Sequence, residues 1–418
     1  MKRILLLLFL IRVSSVIAQD IAGNDIIAGH VDTVQSKILN EKRAVWVRLP
    51  KGVNEQSGNY GRYPVVYLLD GPEHFAAVSG IIQYLSEANG NMICPDMIVI
   101  GITNTDRTRD LTPTHSKFDF EHNTTDAFKS SGGGEKFNAF LTQELIPYVE
   151  SKYPAAPYRM LIGHSFGGLT AVNMLINHTG IFDAYAIIDP SMWWDDHKLL
   201  KQAGEVLKQK KFAGKRVFMG IANTMPPGDD TARAHRENLP ATDHIRSILN
   251  LADEFKENPD NGLIFSCKYY PDDNHNSSPL IAEYDAFRFL FRYYRLPPET
   301  EAALFSTDTK SDVASIIEKH FAGISKSMDY KVLPPEALLD AMGHDYMEIN
   351  LYPQALAVFT LNAAYYPRSS IVYGSLGDYY KVKNNNVKAA EFYNRSLKIK
   401  DSIIIRGKLK DCMASIKN

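Results

Sequence analysis

A serine within a Gly-x-Ser-x-Gly motif is the residue of this sequence best suited to act as a nucleophile. The motif spans residues 163–167, follows the apolar run 160–162 and leads into a helix-like segment. A sharp strand-to-helix turn with this spacing exposes the serine hydroxyl, and the N–H of the next residue faces the oxyanion formed by attack on a carbonyl. The motif therefore predicts nucleophilic catalysis by Ser165, with Phe166 as an oxyanion donor.

A general base must take the proton of such a serine, and His275 has the position expected of it. Where this motif carries catalysis, the chain order is serine, acid, histidine, and the histidine lies in a loop after a late strand. His275 lies in a polar loop after the strand-like run 263–270. His235 and His244 are the competing candidates, because they also follow the serine.

The acid of the predicted triad has several candidates. A carboxylate that follows the strand-like run 217–222 could hold the histidine in the required tautomer. Asp243 is favoured among the carboxylates of this region, with Asp229 and Asp230 as alternatives. A serine–histidine dyad with only local support stays open as well.

Two aromatic side chains and one basic side chain are candidates for substrate contact. Trp193 and Trp194 follow a predicted strand end, where open α/β sheets form pocket walls, and could stack on a phenolic acyl group. The alternative for the tryptophans is packing in the core. Arg107 could attract an acidic substrate or product, the alternative being a solvated surface arginine.

Strand-like and helix-like segments alternate from about residue 40 to 295, and these elements must position the candidates. Several strand-like runs are apolar at successive positions, as in strands covered by helices on both faces. The alternation predicts an α/β domain with a mostly parallel, doubly wound sheet. The clearest strand-like runs are residues 44–47, 65–69, 97–100, 160–162, 184–188, 217–219 and 263–265.

Four further stretches resemble the putative-esterase group of α/β-hydrolases, which includes esterase D, feruloyl esterases and siderophore trilactone esterases. The resemblance covers about residues 40–295. It implies an α/β-hydrolase fold, Ser165 as the nucleophile and His275 as the base. The stretches are YLLDG at 67–71, GITN at 101–104 with RTRDLTP at 107–113, DPSMWW at 189–194, and YP at 270–271 with HNSSP at 275–279.

The resemblance also bears on the second oxyanion donor and on the acid. In the related mycolyltransferases the residue after Leu-Asp-Gly donates its N–H to the oxyanion. Here that residue is Pro72, which has no N–H, so Gly71 and Glu73 are the candidates. Asn223 stands where several relatives have an acidic residue, which leaves the identity of the acid open.

Both ends of the chain differ from the central region. Residues 1–18 combine Lys2 and Arg3 with an apolar run, the pattern of a cleaved signal peptide, so we expect a periplasmic or secreted protein. After residue 297 the strand signals stop, and an all-helical region follows. We divide the chain into a signal peptide (1–18), a hydrolase domain (25–297), a helical linker (298–335) and a helical-repeat region (336–418).

The helical region contains residues that recur after 34 positions. Gly343 recurs as Gly377, Tyr346 as Tyr380, and Ala355 as Ala389. This spacing resembles the tetratricopeptide pattern of paired helices, in which small residues let the two helices approach. The pattern predicts a possible site for a protein partner, the alternative being an ordinary helical hairpin.

Composition excludes several functional classes. The sequence has 46 basic and 48 acidic residues, so no strong field would direct it to nucleic acid or anionic lipid. Its three cysteines lack the spacing of a zinc site or a disulfide framework. No stretch after the N-terminal run is long and apolar enough to span a membrane. We therefore expect no cofactor, metal, nucleic acid or membrane span.

Together these observations predict an exported serine esterase that hydrolyses small-molecule carboxylic esters, with siderophore, aryl and acyl-sugar esters as candidate substrates. An acyltransferase that uses the same site is one alternative. A non-catalytic binding protein that acts through its helical repeats is the other.

Overall fold

The computed structural model describes residues 27–51, 53, 61–119, 123–306 and 311–417. The predicted signal peptide lies outside these residues. The chain divides into two compact units, one of residues up to 50 together with 62–295, the other of residues 51–61 together with 296 onward. Within the described ranges, no helix has the length and apolar character needed to cross a membrane.

An eight-stranded sheet lies at the centre of the first unit. Its strand order is β1-β2-β4-β3-β5-β6-β7-β8; β2 pairs antiparallel with β1 and β4, and the other neighbours are parallel. The prediction of an α/β-hydrolase fold with a mostly parallel sheet is therefore confirmed. The strands are β1 (His30–Ser36), β2 (Glu41–Arg48), β3 (Tyr63–Leu68), β4 (Ile98–Ile102), β5 (Ala155–His164), β6 (Ala184–Ile188), β7 (Arg216–Ala222) and β8 (Ile264–Tyr270).

Helices cover the sheet, which explains the apolar character of its strands. Every residue of β4 and β6 is buried. Strands buried on both faces carry continuous apolar runs, since neither face meets water. The helices are α1 (Gly71–Ser86), α2 (Arg107–Leu111), α3 (Gly134–Phe140), α4 (Ile146–Lys152), α5 (Phe166–Asn177), α6 (Trp194–Gln209), α7 (Thr231–Arg236), α8 (Asp243–Glu257) and α9 (Ser278–Leu290), with a π-helical turn at Leu141–Leu145.

Helices are the regular elements of the second unit in its described residues, and the predicted helical region after residue 297 is confirmed. Two of its glycines are in equivalent contacts: a Cβ atom added to Gly343 would lie 2.3 Å from the Phe359 ring, and one added to Gly377 would lie 2.4 Å from the Tyr393 ring. This agrees with the 34-residue period, and the tetratricopeptide assignment itself stays a prediction. The helices are α10 (Pro298–Leu304), α11 (Val313–Met328), α12 (Glu336–Glu348), α13 (Tyr352–Tyr365), α14 (Ser370–Val382), α15 (Asn386–Ile399) and α16 (Ile403–Lys417).

Candidate active site

Ser165 lies at the sharp turn between β5 and α5. Its backbone has φ 59° and ψ −116°, a conformation that side-chain-bearing residues rarely adopt. The turn is compact, because a Cβ atom on Gly163 would lie 2.2 Å from the carbonyl oxygen of Gly167. The serine side chain stays partly exposed at the carboxyl edge of the sheet. The local geometry is therefore that of a nucleophile elbow.

This geometry predicts that Gly163→Ala damages both the fold and the activity. The added methyl group must displace the Gly167 backbone, and overpacking of this kind costs about 1–3 kcal/mol of stability. Thermal unfolding and ester hydrolysis measure the two effects. Gly80→Ala is the matched control, because Gly80 is an exposed residue of α1 with nothing within 4 Å of its added Cβ atom. The control variant should be neutral or slightly more stable, and equal behaviour of both variants would contradict the prediction.

A buried carboxylate, Asp189, holds the imidazole of His275. Asp189 directly follows β6, is fully buried, and its Oδ2 atom lies 2.6 Å from Nδ1 of His275. The same oxygen lies 2.8 Å from Nε2 of His244, and Oδ1 accepts a hydrogen bond from the Ala222 N–H at 2.9 Å. With Nδ1 donating to Asp189, Nε2 of His275 is left as the nitrogen that can accept a proton.

The electrostatic setting keeps Asp189 ionised. Burial opposes the charge, but the hydrogen bonds from His244 and His275 outweigh it and hold the pKa of Asp189 well below its usual value of 3.8. A buried carboxylate with several donors is the arrangement that stabilises an imidazolium formed during catalysis.

The expectation for the acid is therefore corrected: among the described hydrogen bonds and ion pairs, His275 is bonded by Asp189 and not by Asp243. The Asp243 carboxylate lies at the start of α8, pairs with Nε2 of His197 at 3.1 Å and bonds the Arg246 guanidinium. Neither alternative carboxylate reaches the imidazole: Asp229 pairs with Arg233, and Asp230 caps α7 by accepting from the Arg233 N–H. The carboxylate at His275 follows β6, one strand earlier than the sequence argument assumed. A usable signal was present, because Asp189 directly ends an apolar strand-like run.

One edge of the sheet holds Ser165, Asp189 and His275. They follow β5, β6 and β8, and the carboxyl ends of these parallel strands point the same way. The Ser165 hydroxyl lies 3.3 Å from Oγ of Ser191, and among the hydrogen bonds of the described residues none joins it to His275. His275 nevertheless lies beside the elbow, because its ring contacts that of His164, the residue before Ser165, and catalytic hydrogen bonds are often loose before substrate binds.

The ring of His164, the residue before the serine, packs against the ring of His275 at a tilt of 42°. The ring centroids lie 4.5 Å apart, and the His244 ring approaches His275 from another side at 5.1 Å. Burial, then the neighbouring rings of His275 and His74, lower the pKa of His164 to about 3. His164 therefore stays neutral near pH 7 and adds no charge that would oppose protonation of His275. The sequence argument did not identify this contact.

The first turn of α1 supplies the second candidate oxyanion donor. The Glu73 N–H bonds the carbonyl oxygen of Asp70 at 3.1 Å, so it is already engaged, and Pro72 has none. Gly71 is thereby favoured over Glu73. Its backbone packs so closely on β4 that an added Cβ atom would lie 2.5 Å from the carbonyl carbon of Gly101. The Phe166 N–H lies at the start of α5, where helix N–H groups lack intrahelical partners.

Arg107 is tied to Asp70 rather than free in solvent. Its Nε and Nη2 atoms lie 2.7 and 2.9 Å from the two carboxylate oxygens, and its guanidinium carbon lies 5.4 Å from the centre of the Phe166 ring. The charge is therefore compensated within the protein. Asp70 precedes Gly71, and Phe166 follows Ser165. Through its contacts with Asp70 and Phe166, the arginine links the two turns that carry the candidate oxyanion donors.

The two tryptophans belong to a group of four aromatic side chains, which we call the aromatic wall and which comprises Phe128, Phe166, Trp193 and Trp194. Ring centroids within it are 5.0–6.3 Å apart. Trp194 is buried and donates its Nε1–H to the carbonyl oxygen of Thr114 at 3.1 Å, whereas Trp193 keeps 9% of its surface exposed. Trp194 therefore packs as a core residue, and Trp193 is also buried but keeps the larger exposed fraction of the two.

Asp189, His244 and His275 are also the group in the described ranges whose ligand atoms are close enough to hold a metal ion. Two of the distances between these atoms are 2.6 and 2.8 Å. Ligands of a tetrahedral zinc ion stand about 3.4 Å apart, given zinc–nitrogen bonds of about 2.1 Å. The spacing therefore matches hydrogen bonds better than metal ligation.

The chain matches one family model and several known esterases. The family model described as "Putative esterase" matches residues 36–244. Two curated relatives are the siderophore enterobactin esterase of Emericella nidulans, 30% identical over 149 residues (33% of this chain, 49% of the relative), and the siderophore triacetylfusarinine C esterase of Aspergillus fumigatus, 27% identical over 160 residues (38% and 54%). The chain thus spans about half the length of the curated relatives it matches.

Two solved structures share the fold. An IroE-like serine hydrolase from Shewanella oneidensis superposes with a TM-score of 0.67 at 30% identity, covering 81% of this chain and 99% of that one. The siderophore hydrolase EstA from Aspergillus nidulans superposes with a TM-score of 0.54 at 21% identity, covering 67% and 99%. At that identity the second likeness concerns the fold alone.

Proposed function

The chain belongs to the putative esterase family, and from this premise we propose that it is a serine hydrolase that cleaves carboxylic esters through Ser165, His275 and Asp189. One observation carries the proposal: a half-buried serine on a strained elbow shares a sheet edge with an imidazole that is held by a buried, ionised carboxylate. That constellation is the one required for acyl transfer through a covalent intermediate.

The proposed reaction follows from the geometry. Nε2 of His275 takes the proton of Ser165 as its oxygen attacks the ester carbonyl, while Asp189 stabilises the imidazolium. The N–H groups of Phe166 and Gly71 hold the oxyanion. The imidazolium then protonates the departing alcohol. Water attacks the acyl-enzyme next: His275 takes the proton of the water and returns it to the Ser165 oxygen as the acid product leaves.

An aromatic acyl group is the proposed feature of the substrate. Two relatives are named as siderophore esterases, and the aromatic wall includes Phe166, the residue next to the nucleophile. Aromatic rings prefer offset or edge-on contacts with other rings, and the aromatic wall offers rings for such contacts beside the nucleophile. Aryl esters, siderophore esters among them, are therefore the substrates to try first.

The proposal includes export through the predicted signal peptide and contact with a protein partner through the helical region.

Labelling by a fluorophosphonate probe tests the proposal. The probe reacts with an activated serine, so we expect one modified peptide that carries the adduct on Ser165. Ser191→Ala is the matched control, because Ser191 Oγ is the hydroxyl nearest to Ser165 Oγ among its described hydrogen-bond partners. The control protein should still be labelled at Ser165. No labelling, or an adduct on Ser191, would count against the assignment and would favour a non-catalytic binding protein.

A further inference from the structure

Three consecutive residues directly after the two tryptophans have a left-handed backbone. Asp195, Asp196 and His197 have φ values of 49°, 52° and 61° at the start of α6. None of them is glycine, so each adopts a conformation that its Cβ atom disfavours. Such strain persists only where surrounding contacts over-determine the conformation, and it is concentrated at functional sites.

The turn is held by a group that we call the His197 clamp, consisting of His197, Asp243 and Arg246. Nε2 of His197 lies 3.1 Å from the Asp243 carboxylate, which also bonds the guanidinium of Arg246. Arg246 in turn donates to the carbonyl oxygens of Glu237 and Leu239 at 3.0 and 2.9 Å. The side chains of Asp243 and Arg246 are only 6% and 10% exposed. The clamp is thus a buried network that ties α6 to α8.

The turn directly follows the two tryptophans of the aromatic wall, of which Trp193 keeps the larger exposed fraction. Trp194 directly precedes the left-handed run, and Trp193 comes one residue earlier. The ring centroid of Trp193 lies 6.2 Å from that of Phe166 and 6.3 Å from that of Phe128. Phe166 is the residue after the nucleophile. The left-handed backbone at residues 195–197 sets the direction from which the chain enters α6. It therefore also sets the orientation of the Trp193 ring, which comes just before.

We infer that the His197 clamp is a positioning device that holds the aromatic wall against the acyl side of the substrate and so gives the site its preference for aromatic over small acyl groups. This inference rests on the proposed function and adds a determinant of specificity to it. Loss of the clamp lets the strained turn relax toward right-handed helix and moves Trp193. An acetyl group is too small to extend along the wall, whereas a benzoyl ring extends along it. Movement of Trp193 should therefore slow the hydrolysis of benzoyl esters more than that of acetyl esters.

Two esters with the same leaving group, p-nitrophenyl benzoate and p-nitrophenyl acetate, test the inference. In Asp243→Asn and in His197→Gly, we expect the benzoate-to-acetate ratio of kcat/KM to fall about tenfold, mainly through a higher KM for the benzoate, as for the loss of one apolar pocket contact. His197→Gly removes the clamp side chain and relieves the backbone strain at that one residue, so a folded protein is expected, while the strain at Asp195 and Asp196 still favours relaxation of the turn.

Asp253→Asn is the matched control. It breaks another His–Asp pair of the same unit, in which Nε2 of His235 lies 3.0 Å from Asp253 and which joins α7 to α8 away from the strained turn. The benzoate-to-acetate ratio of kcat/KM for Asp253→Asn should equal that of the unaltered protein. An unchanged ratio in both clamp variants would overturn the inference, and so would an equal loss of both esters in Asp243→Asn, since that loss would indicate a role in the acid–base chemistry.

Tryptophan emission separates the failure of this inference from failure of the proposed function. Two of the three tryptophans of the chain lie in the aromatic wall. If the unaltered protein hydrolyses neither ester, the proposed function fails, and the clamp is judged by emission alone. The emission maximum should then shift in Asp243→Asn and His197→Gly but not in Asp253→Asn; the same spectrum in all four proteins overturns the inference.

Discussion

Ser165→Ala should lower kcat for p-nitrophenyl acetate hydrolysis by about 10⁴- to 10⁶-fold, the range expected when the nucleophile of a triad is removed. The oxyanion donors and the binding surface remain, so slow residual hydrolysis by water is expected. Alanine keeps the Cβ atom and hence the backbone preferences of the strained elbow, which has φ 59°. The fold should therefore survive the change, and initial rates under substrate excess measure the effect.

Thermal unfolding of the Ser165→Ala protein is the control for that measurement. The Ser165 hydroxyl has one described side-chain contact, the 3.3 Å approach to Ser191. A single contact of this kind contributes about 1 kcal/mol at most, so the unfolding temperature should change by only a few degrees. Activity within tenfold of the unaltered protein would remove Ser165 from the mechanism and leave the hydrolysis to another nucleophile.

Asp189→Asn should lower kcat by about 10³- to 10⁴-fold, which separates it from every carboxylate that the sequence offered as the acid. An amide at this position no longer stabilises the imidazolium and favours the wrong tautomer of His275. Asp229→Asn is the matched control, because Asp229 precedes α7 and pairs with the half-exposed Arg233. That variant should hydrolyse p-nitrophenyl acetate at nearly the original rate. Comparable losses in both variants would contradict the assignment of Asp189.

The lowered pKa of Asp189 also fixes the sign of a pH effect on stability. A carboxyl group whose pKa is lower in the folded protein than in the unfolded chain stabilises the fold above the unfolded pKa. That contribution is lost as the pH falls through the folded value, and here burial is outweighed by the hydrogen bonds from His244 and His275. The stability difference between the unaltered protein and Asp189→Asn should therefore shrink below about pH 4, which denaturant titrations at several pH values would measure.

The fold and the sharp turn at Ser165 were predictable because their signals are local. Continuous apolar runs indicated strands buried on both faces, and β4 and β6 are buried at every position. The serine motif specifies its own turn, since the clash of a Gly163 side chain with Gly167 depends on a few adjacent residues. His275 followed from chain order, a rule that requires only the position of the last strand.

The partners of the charged side chains were not predictable in the same way. Arg107, expected to attract a substrate, is paired with Asp70 across 37 positions. Asp243, expected to hold the catalytic imidazole, instead holds His197 and with it the strained turn beside the tryptophans. Each of these residues had the right type for its predicted role, and composition or spacing could not distinguish the actual partner.

The sequence by itself determined the alternation of strands and helices, the elbow at Ser165 and the loop of His275, because each depends on neighbours in the chain. Only the tertiary structure decided that Asp189, 86 positions before His275, is the carboxylate that meets it. The reason is physical: an ion pair depends on distance through space, and the order of strands in the sheet brings the end of β6 to the end of β8. Asp243 and Asp229, which lie nearer to His275 in the chain, pair with His197 and Arg233.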